Sequence, residues 1–493
     1  MLPLTILLVL FGAAIIILML RTNIAAKRLS LFAHILAFAL SVAMLLEAAN
    51  EPISWMLGAE PWNFYVLVTP LDAFMVILFI GVGLLITWAS MSMMEHELEP
   101  GRIRGHYALA TALIASLCGI VVFESFFNIF ILVELSTFLA AGLVFIKKGP
   151  KNMRAGFKYL VLSVFGSTLI LMGIIILYFL TGYFSMTGIH SRLIEDFIGN
   201  ENAVRSALVF ITIGAALKSA LFPLHIWLPD AHSTAPSPSS ALLSSLVLKS
   251  YIFLYIKILY KAIGLEILQG DEILRLILTV VMVNGALAMI AGSVMALLQK
   301  DLKRMIAYSS VSQIGYIFMG IGMGTRLGLF AAIFHILVHA VTKAVLFLAA
   351  GSIYERTHNR EIDKMGGVGI QMPKTMALFT VSALSMVGIP LFLGFNSKWF
   401  FGISMIDSYQ LWLLVVLALS SLLNGSYYLP IVLRAFFDKE AREDFTPEHI
   451  PSLERPTREL IPILILGSFV ILFAIFGGPI NDYIRMGIEH IWQ

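Results

Sequence analysis

Apolar runs long enough to cross a lipid bilayer recur along almost the whole chain, and this feature leaves few folds open. A hydrocarbon core of ~30 Å takes a helix of roughly 20 residues. Such runs fall at about 2–20, 29–47, 70–94, 106–124, 125–146, 155–181, 203–226, 237–263, 272–298, 304–323, 327–354, 373–405, 410–436 and 457–485. Backbone polar groups in lipid must be satisfied inside their own segment, so each run reads as a helix. The expectation is an all-α polytopic membrane protein with about fourteen transmembrane helices. Composition agrees: 59% of the 493 residues are hydrophobic and 13% charged, against about a quarter charged in soluble domains. The opening residues are apolar with no basic stretch ahead of them, so they read as a first span and not as a cleaved signal.

Other classes are excluded as directly. A net charge of +3 with no basic arm argues against nucleic acid. The single cysteine, Cys118, cannot make an intrachain disulfide or hold an iron–sulfur cluster alone. No glycine-rich dinucleotide fingerprint occurs, so no cofactor is expected, and any redox chemistry would sit on partner subunits.

Loop charges set the orientation. Arg21, Lys27 and Arg28 follow the first run, and Lys147, Lys148, Lys151, Arg154 and Lys158 follow the fifth. Lys300, Lys303 and Arg304 follow the ninth, and Arg356, Arg360, Lys364 and Lys374 the eleventh. Arg434, Lys439, Arg442, Arg455 and Arg458 precede the last. The opposite loops are poor in Lys and Arg or acidic, as in Glu47 to Trp62. The chain is therefore expected in the cell (inner, cytoplasmic) membrane with both termini on the outer side.

Against this background the lone charges inside apolar runs stand out. Lys218 lies near the middle of its run with Pro223 five residues on, and Lys249 sits inside the next run. Proline removes a backbone hydrogen bond and breaks the helix, which at bilayer depth is tolerated where it lines a cavity. A second proline-broken run carries Pro390 and Lys398. Glu134 is flanked by apolar residues, and His335, His339 and Lys343 recur at i, i+4 and i+8. At 1.5 Å per residue those three form one stripe ~12 Å long. A charge at this depth costs ~3 kcal/mol or more and by default marks an ion or proton path.

Each of these residues also has a plainer reading. Glu134, Lys218 and Lys249 could tie helices together, and a lone histidine is often a satisfied hydrogen bonder. Metal binding by His335 and His339 is disfavoured because the run lacks HExxH, so no metal site is expected. Asp72, two residues after Pro70, reads as a helix N-cap. Ser244, Ser245 and Gly315 read as packing contacts.

Together the buried groups suit a proton relay. Desolvation disfavours a buried lysine's charged form and a nearby carboxylate restores it, so moving the two apart would load and unload a proton. Histidine suits the connecting positions. The two broken, lysine-bearing runs lie five spans apart, which makes their units opposite in topology, an inverted repeat. The expected division is residues 1–105 (three spans), 106–263 and 264–436 (two inverted five-helix units), and 437–493 (a cytoplasmic loop and the last span).

The run Lys218-Ser219-Ala220-Leu221-Phe222-Pro223-Leu224-His225-Ile226-Trp227-Leu228-Pro229-Asp230-Ala231-His232 resembles the signature of antiporter-like subunits. That family comprises the M, N and L-type subunits of complex I, the large Mrp Na⁺/H⁺ antiporter subunits and the antiporter module of membrane-bound hydrogenases. Asp301 to Ser310, the His335/His339/Lys343 stripe with Phe347 to Gly351, and Gly388-Ile389-Pro390 with Lys398 resemble it too. The resemblance implies fourteen helices, a Glu134–Lys218 pair, a central Lys249 and Lys398 as the group nearest the outer exit. It implies a proton-translocating subunit of a multisubunit complex, with other membrane subunits as partners and a redox enzyme or Na⁺ coupled to it. An Mrp-type antiporter without redox chemistry is the nearest alternative. A standalone solute carrier and a structural membrane scaffold are the alternatives of other classes. Two positions depart from the family pattern, Ser250 in place of a glycine and Gln313 in place of a histidine.

Overall fold

The computed structural model describes residues 1–58, 63–438 and 452–492, with the backbone alone at the last position. Lys439 and Arg442, counted in the loop charges, and the end of the acidic loop before Asn63 lie outside the described residues.

The chain forms a helical bundle. It opens with α1 (Leu2–Met19) and α2 (Asn23–Ala48), and an antiparallel hairpin of β1 (Ile53–Leu57) and β2 (Phe64–Val68) follows. Next come α3 (Pro70–Glu97), α4 (Pro100–Val122), α5 (Phe126–Phe145), α6 (Pro150–Thr181), α7 (Met186–Asp196), α8 (Glu201–Lys218) and α9 (Leu228–Thr234). The span α10 (Ser237–Gly270) is followed by α11 (Glu272–Leu297), α12 (Leu302–Gly322) and α13 (Arg326–Thr357). The chain closes with α14 (Pro373–Val387), α15 (Leu393–Asp407), α16 (Trp412–Phe437), α17 (Thr457–Ile475) and α18 (Gly478–Trp492). Among the described residues eleven helices are long and apolar enough to cross a membrane. Of the remaining runs, 203–226 holds α8 only as far as Lys218 and then an irregular stretch, 373–405 is split into α14 and α15, and 304–323 is α12.

Helix starts follow local chemistry. Pro70, Pro100 and Pro150 begin their helices, where a missing N–H costs nothing. Asp72 is not the N-cap: Thr69 holds that position, and Asp72 closes a capping box from the third helical residue. Asp271 caps α11 and pairs with Arg205 at 2.5 Å. Hydrogen bonds from that guanidinium hold the Asp271 carboxyl below the usual carboxylate range.

Several boundaries differ from those read in the sequence. α2 begins at Asn23, so Lys27 and Arg28 are in a helix, as is Lys158 in α6. The last apolar run does not continue to 485: α17 stops at Ile475 and a separate helix, α18, packs back against α3. The break between the fourth and fifth runs is an extended turn, where Ser125 bridges to Ser185. The hairpin and α7 leave no mark in the apolar pattern.

The helix breaks start before their prolines. α8 ends at Lys218 and α14 at Val387. In the first break Leu221 N–H donates to the Ala216 carbonyl at 2.8 Å, and the Trp227 indole donates to the Leu217 carbonyl at 2.9 Å. These bonds satisfy carbonyls that a helix end leaves open. In the second, Gly388 takes φ +91°, which favours glycine.

Burial singles out two spans. The apolar windows of α10 and α13 are each 100% buried, against 33–39% for α1, α2 and α17. The former pair therefore has no lipid-facing side, and it carries Lys249, His335, His339 and Lys343.

Candidate functional site

Lys218 is the last residue of α8, where a cation meets the negative end of the helix dipole. Its Nζ donates to Thr137 Oγ1 at 2.7 Å and lies 4.4 Å from the centre of the Tyr251 ring. Tyr251 in turn exchanges a 2.8 Å hydrogen bond with Ser136. Gly166 permits the close packing: a Cβ there would lie 2.9 Å from Lys218 Cγ and 3.2 Å from the Gly214 carbonyl oxygen.

Glu134 is one turn from Thr137 on the same helix, half-buried and within electrostatic reach of Lys218. No ion pair joins them in this structure, which differs from the side-by-side pair the resemblance implies. The ammonium rests on the hydroxyl one turn away instead.

Lys249 is wholly buried, and its Nζ donates to the Ser244 carbonyl. That carbonyl is available because Leu243–Val247 is wound as a π-helix, whose bonds skip one residue further than an α-helix. Lys343 donates to the Ile306 carbonyl at 3.0 Å and to Ser309 Oγ, with Tyr428 Oη at 3.4 Å. Lys249 and Lys343 are within electrostatic reach of each other, and both ring nitrogens of His339 lie in the same field with no protein partner. Like charges so placed in a low dielectric repel strongly, so protonating one disfavours protonating the other.

His335 stacks beside His339 with ring centres 6.4 Å apart. Its Nδ1 meets Ser397 Oγ at 2.8 Å and its Nε2 meets Gln313 Oε1 at 3.1 Å. Gln313, a departure from the family pattern, thus supplies an acceptor. The Ser397 hydroxyl can also donate to the Gly394 carbonyl at 3.1 Å. Its rotation therefore accommodates His335 either neutral or charged, since one proton has two possible acceptors.

Lys398 completes the line. Its Nζ donates to the Met386 carbonyl at 3.1 Å, to the Val387 carbonyl at 2.6 Å and to Ser421 Oγ at 2.9 Å. The two carbonyls are the last of α14, so the helix break supplies the ligands. His335 lies within electrostatic reach of Lys398, Lys249 and Lys343.

The structure therefore brings Lys249, His339, Lys343, His335 and Lys398 into one electrostatically connected group, and Glu134, Thr137, Lys218 and Tyr251 into a second. Tyr251 and Lys249 stand two residues apart on α10, which links the groups. Pro223 and Pro390 lie within the two breaks.

Sequence reasoning missed a second set of buried charges. Lys257 pairs with Asp72 at 3.3 Å and Lys261 with Glu124 at 2.6 Å. The signal is present in the sequence, since both lysines fall at the end of the apolar run through α10. Glu124 reads there only as an interruption between two runs. His232 carries no role in the sequence reading, yet it is buried with both ring nitrogens unpartnered and faces Lys303, Lys249 and Lys343 electrostatically. Among the described residues no group of three or more His, Cys, Asp or Glu could hold a metal ion.

Comparison with known proteins adds sequence and fold. The family described as NADH:quinone oxidoreductase/Mrp antiporter, transmembrane, matches residues 124–424. NADH-quinone oxidoreductase subunit N of Desulforudis audaxviator is 31% identical over 462 residues, which is 90% of each chain. An Na⁺/H⁺ antiporter subunit from Alkalihalophilus pseudofirmus is 30% identical over 478 residues, 91% of this chain but 56% of that one. A chain of the Mrp complex from a Dietzia species superposes with a TM-score of 0.88 at 22% identity, covering 100% of this chain and 97% of that one. A chain of respiratory complex I from Thermus thermophilus gives 0.84 at 20% identity, covering 100% and 99%. These two likenesses concern the fold.

Proposed function

We infer the function from one premise: the chain belongs to the transmembrane family of NADH:quinone oxidoreductase and Mrp antiporter subunits. It is an ion-translocating subunit of a multisubunit, complex-I-related membrane complex, and we propose that it moves protons along the buried line. The observation that carries this reading is the group from Lys249 through His339, Lys343 and His335 to Lys398. Among the described residues no carboxylate neutralises it, whereas Lys257 and Lys261 are each paired. A structural staple would be paired, because an unpaired buried charge is strongly destabilising.

On this reading the face bearing Lys147, Arg304 and Arg360 is cytoplasmic, both termini are outside, and the chain sits in the cell membrane among other membrane subunits. Residues 106–263 and 264–436 are the two inverted units, with α8–α9 and α14–α15 as their broken spans. Glu134 and Lys218 are the switch, Lys249 is the centre and Lys398 is the outer outlet. A second reading, proton exchange for Na⁺, is favoured by the 30% identity, over 91% of the chain, to a protein named as part of an Na⁺/H⁺ antiporter.

The test is reconstitution of the assembled complex in sealed vesicles, with and without this chain. A pH-sensitive dye and ²²Na⁺ follow the two ions together. Proton movement that depends on the chain and proceeds without Na⁺ supports the first reading, and obligatory ²²Na⁺ counterflow supports the second. Ion movement unaffected by loss of the chain would contradict both.

A further inference from the structure

On the basic face, outside the buried line, an open vestibule of about 860 Å³ is walled by five cations and two carboxylates. Two of the cations are already matched: Lys147 pairs with Glu97, and Arg304 with Asp230 at 3.3 Å. Asp230 is further held by Lys158 at 2.8 Å. Asp301, the second carboxylate, is engaged as the cap of α12, accepting from Arg304 N–H at 2.8 Å. Lys151, Arg154 and Arg360 remain, and among the described residues no carboxylate pairs with any of them.

Arg360 is poised rather than free. Its guanidinium lies 3.9 Å from the centre of the Tyr354 ring and donates to the Ser233 carbonyl at 3.1 Å. Its Nε is buried with no acceptor at all. A buried donor left open in this way costs ~1–3 kcal/mol unless something outside the protein satisfies it. Lys151 and Arg154 stand near the N-terminus of α6, whose open N–H groups and dipole add further positive potential at the same wall.

We propose that this vestibule binds a phosphate-type anion, with Lys151, Arg154 and Arg360 as its ligands. Guanidinium groups suit a phosphate because their planar donors match its oxygens in pairs. Basic pockets between membrane helices on the cytoplasmic side take such groups from lipid headgroups, and a soluble phosphate offers the same chemistry. The vestibule floor includes Asp230, Ser233 and Thr234, the segment that carries the buried His232. An anion seated there would therefore bear directly on α9, the helix that carries that histidine.

The experiment uses the intact complex carrying either the native chain or Lys151→Gln with Arg154→Gln. Both side chains are exposed, so assembly is expected to be unchanged, and a charge-keeping variant, Lys151→Arg with Arg154→Lys, serves as control. One arm measures ³²P-labelled inorganic phosphate binding to delipidated complex. The other counts phosphatidylglycerol retained by the complex from nanodiscs, by native mass spectrometry. The neutralised variant is expected to lose at least about tenfold in affinity in one arm, while the charge-keeping variant keeps it. Loss confined to the second arm identifies a lipid headgroup, and loss in the first a soluble anion. Equal binding by native and neutralised complexes in both arms would overturn the proposal.

Discussion

Glu134→Gln in the assembled complex is expected to lower ion transport by at least about tenfold, Lys218→Ala to do the same, and the double variant to be scarcely worse than either. The geometry gives the reason. The Lys218 ammonium rests on Thr137, one turn along α5 from Glu134, so a shift of roughly one helical turn, ~5 Å, would carry it from hydroxyl to carboxylate. Beside the carboxylate the charged lysine is favoured, and beside the hydroxyl and the Tyr251 ring it is less so. Without the acid the lysine has no state that loads a proton, and without the lysine the acid has nothing to discharge to. Because both losses remove one switching element, they should not multiply. A static staple would behave differently, with poor assembly in both single variants and partial rescue when both charges are gone. Transport per assembled complex near the native value in either single variant, or losses that multiply in the double, would count against the switch.

Lys398→Ala is expected to stop release at the outer end of the line while the complex stays assembled. Its ammonium sits on the two final carbonyls of α14, and those carbonyls exist as free acceptors because the helix is broken there. Gly388 makes room for the side chain, since a Cβ at that position would lie 2.6 Å from Lys398 Cδ. Removing the lysine takes away the next titratable group along the line from His335, so transport should fall by at least about tenfold. The local cost of the two carbonyls left open is ~1–3 kcal/mol each at most, small enough for the bundle to absorb. Native rates of pumping in complexes shown to contain the variant would refute the assignment.

Much of the architecture is legible because a bilayer imposes a fixed length on every span, so run lengths alone locate α1, α5, α11 and α16 closely. The lone charges are legible for a related reason, since Lys249 or His339 in an apolar run cannot be explained by solvent. What stays hidden depends on tertiary contacts. Helix α8 stops at Lys218, where the proline five residues on opens it, but nothing in the spacing shows that Trp227 returns to bind the Leu217 carbonyl. Asp72 reads as a cap since it follows Pro70, but Thr69 takes that place and the carboxylate reaches Lys257 across the bundle. The hairpin and α7 lie outside the apolar runs, where periodicity carries no signal. That Lys218 rests on Thr137, and His335 on Gln313, follows from how helices face each other, which no spacing within one helix reveals.

On the proposed function Lys249 is the group through which the two halves of the line communicate, two residues from Tyr251 on α10. The direct measurement is proton uptake into vesicles containing the assembled complex, per complex, for the native chain and for Lys249→Met. Methionine keeps most of the side-chain volume, so packing in the fully buried α10 should hold while the titratable group is lost. Proton movement at or below the rate of complex-free vesicles is expected, with the complex intact. Native proton movement through an assembled Lys249→Met complex would contradict it.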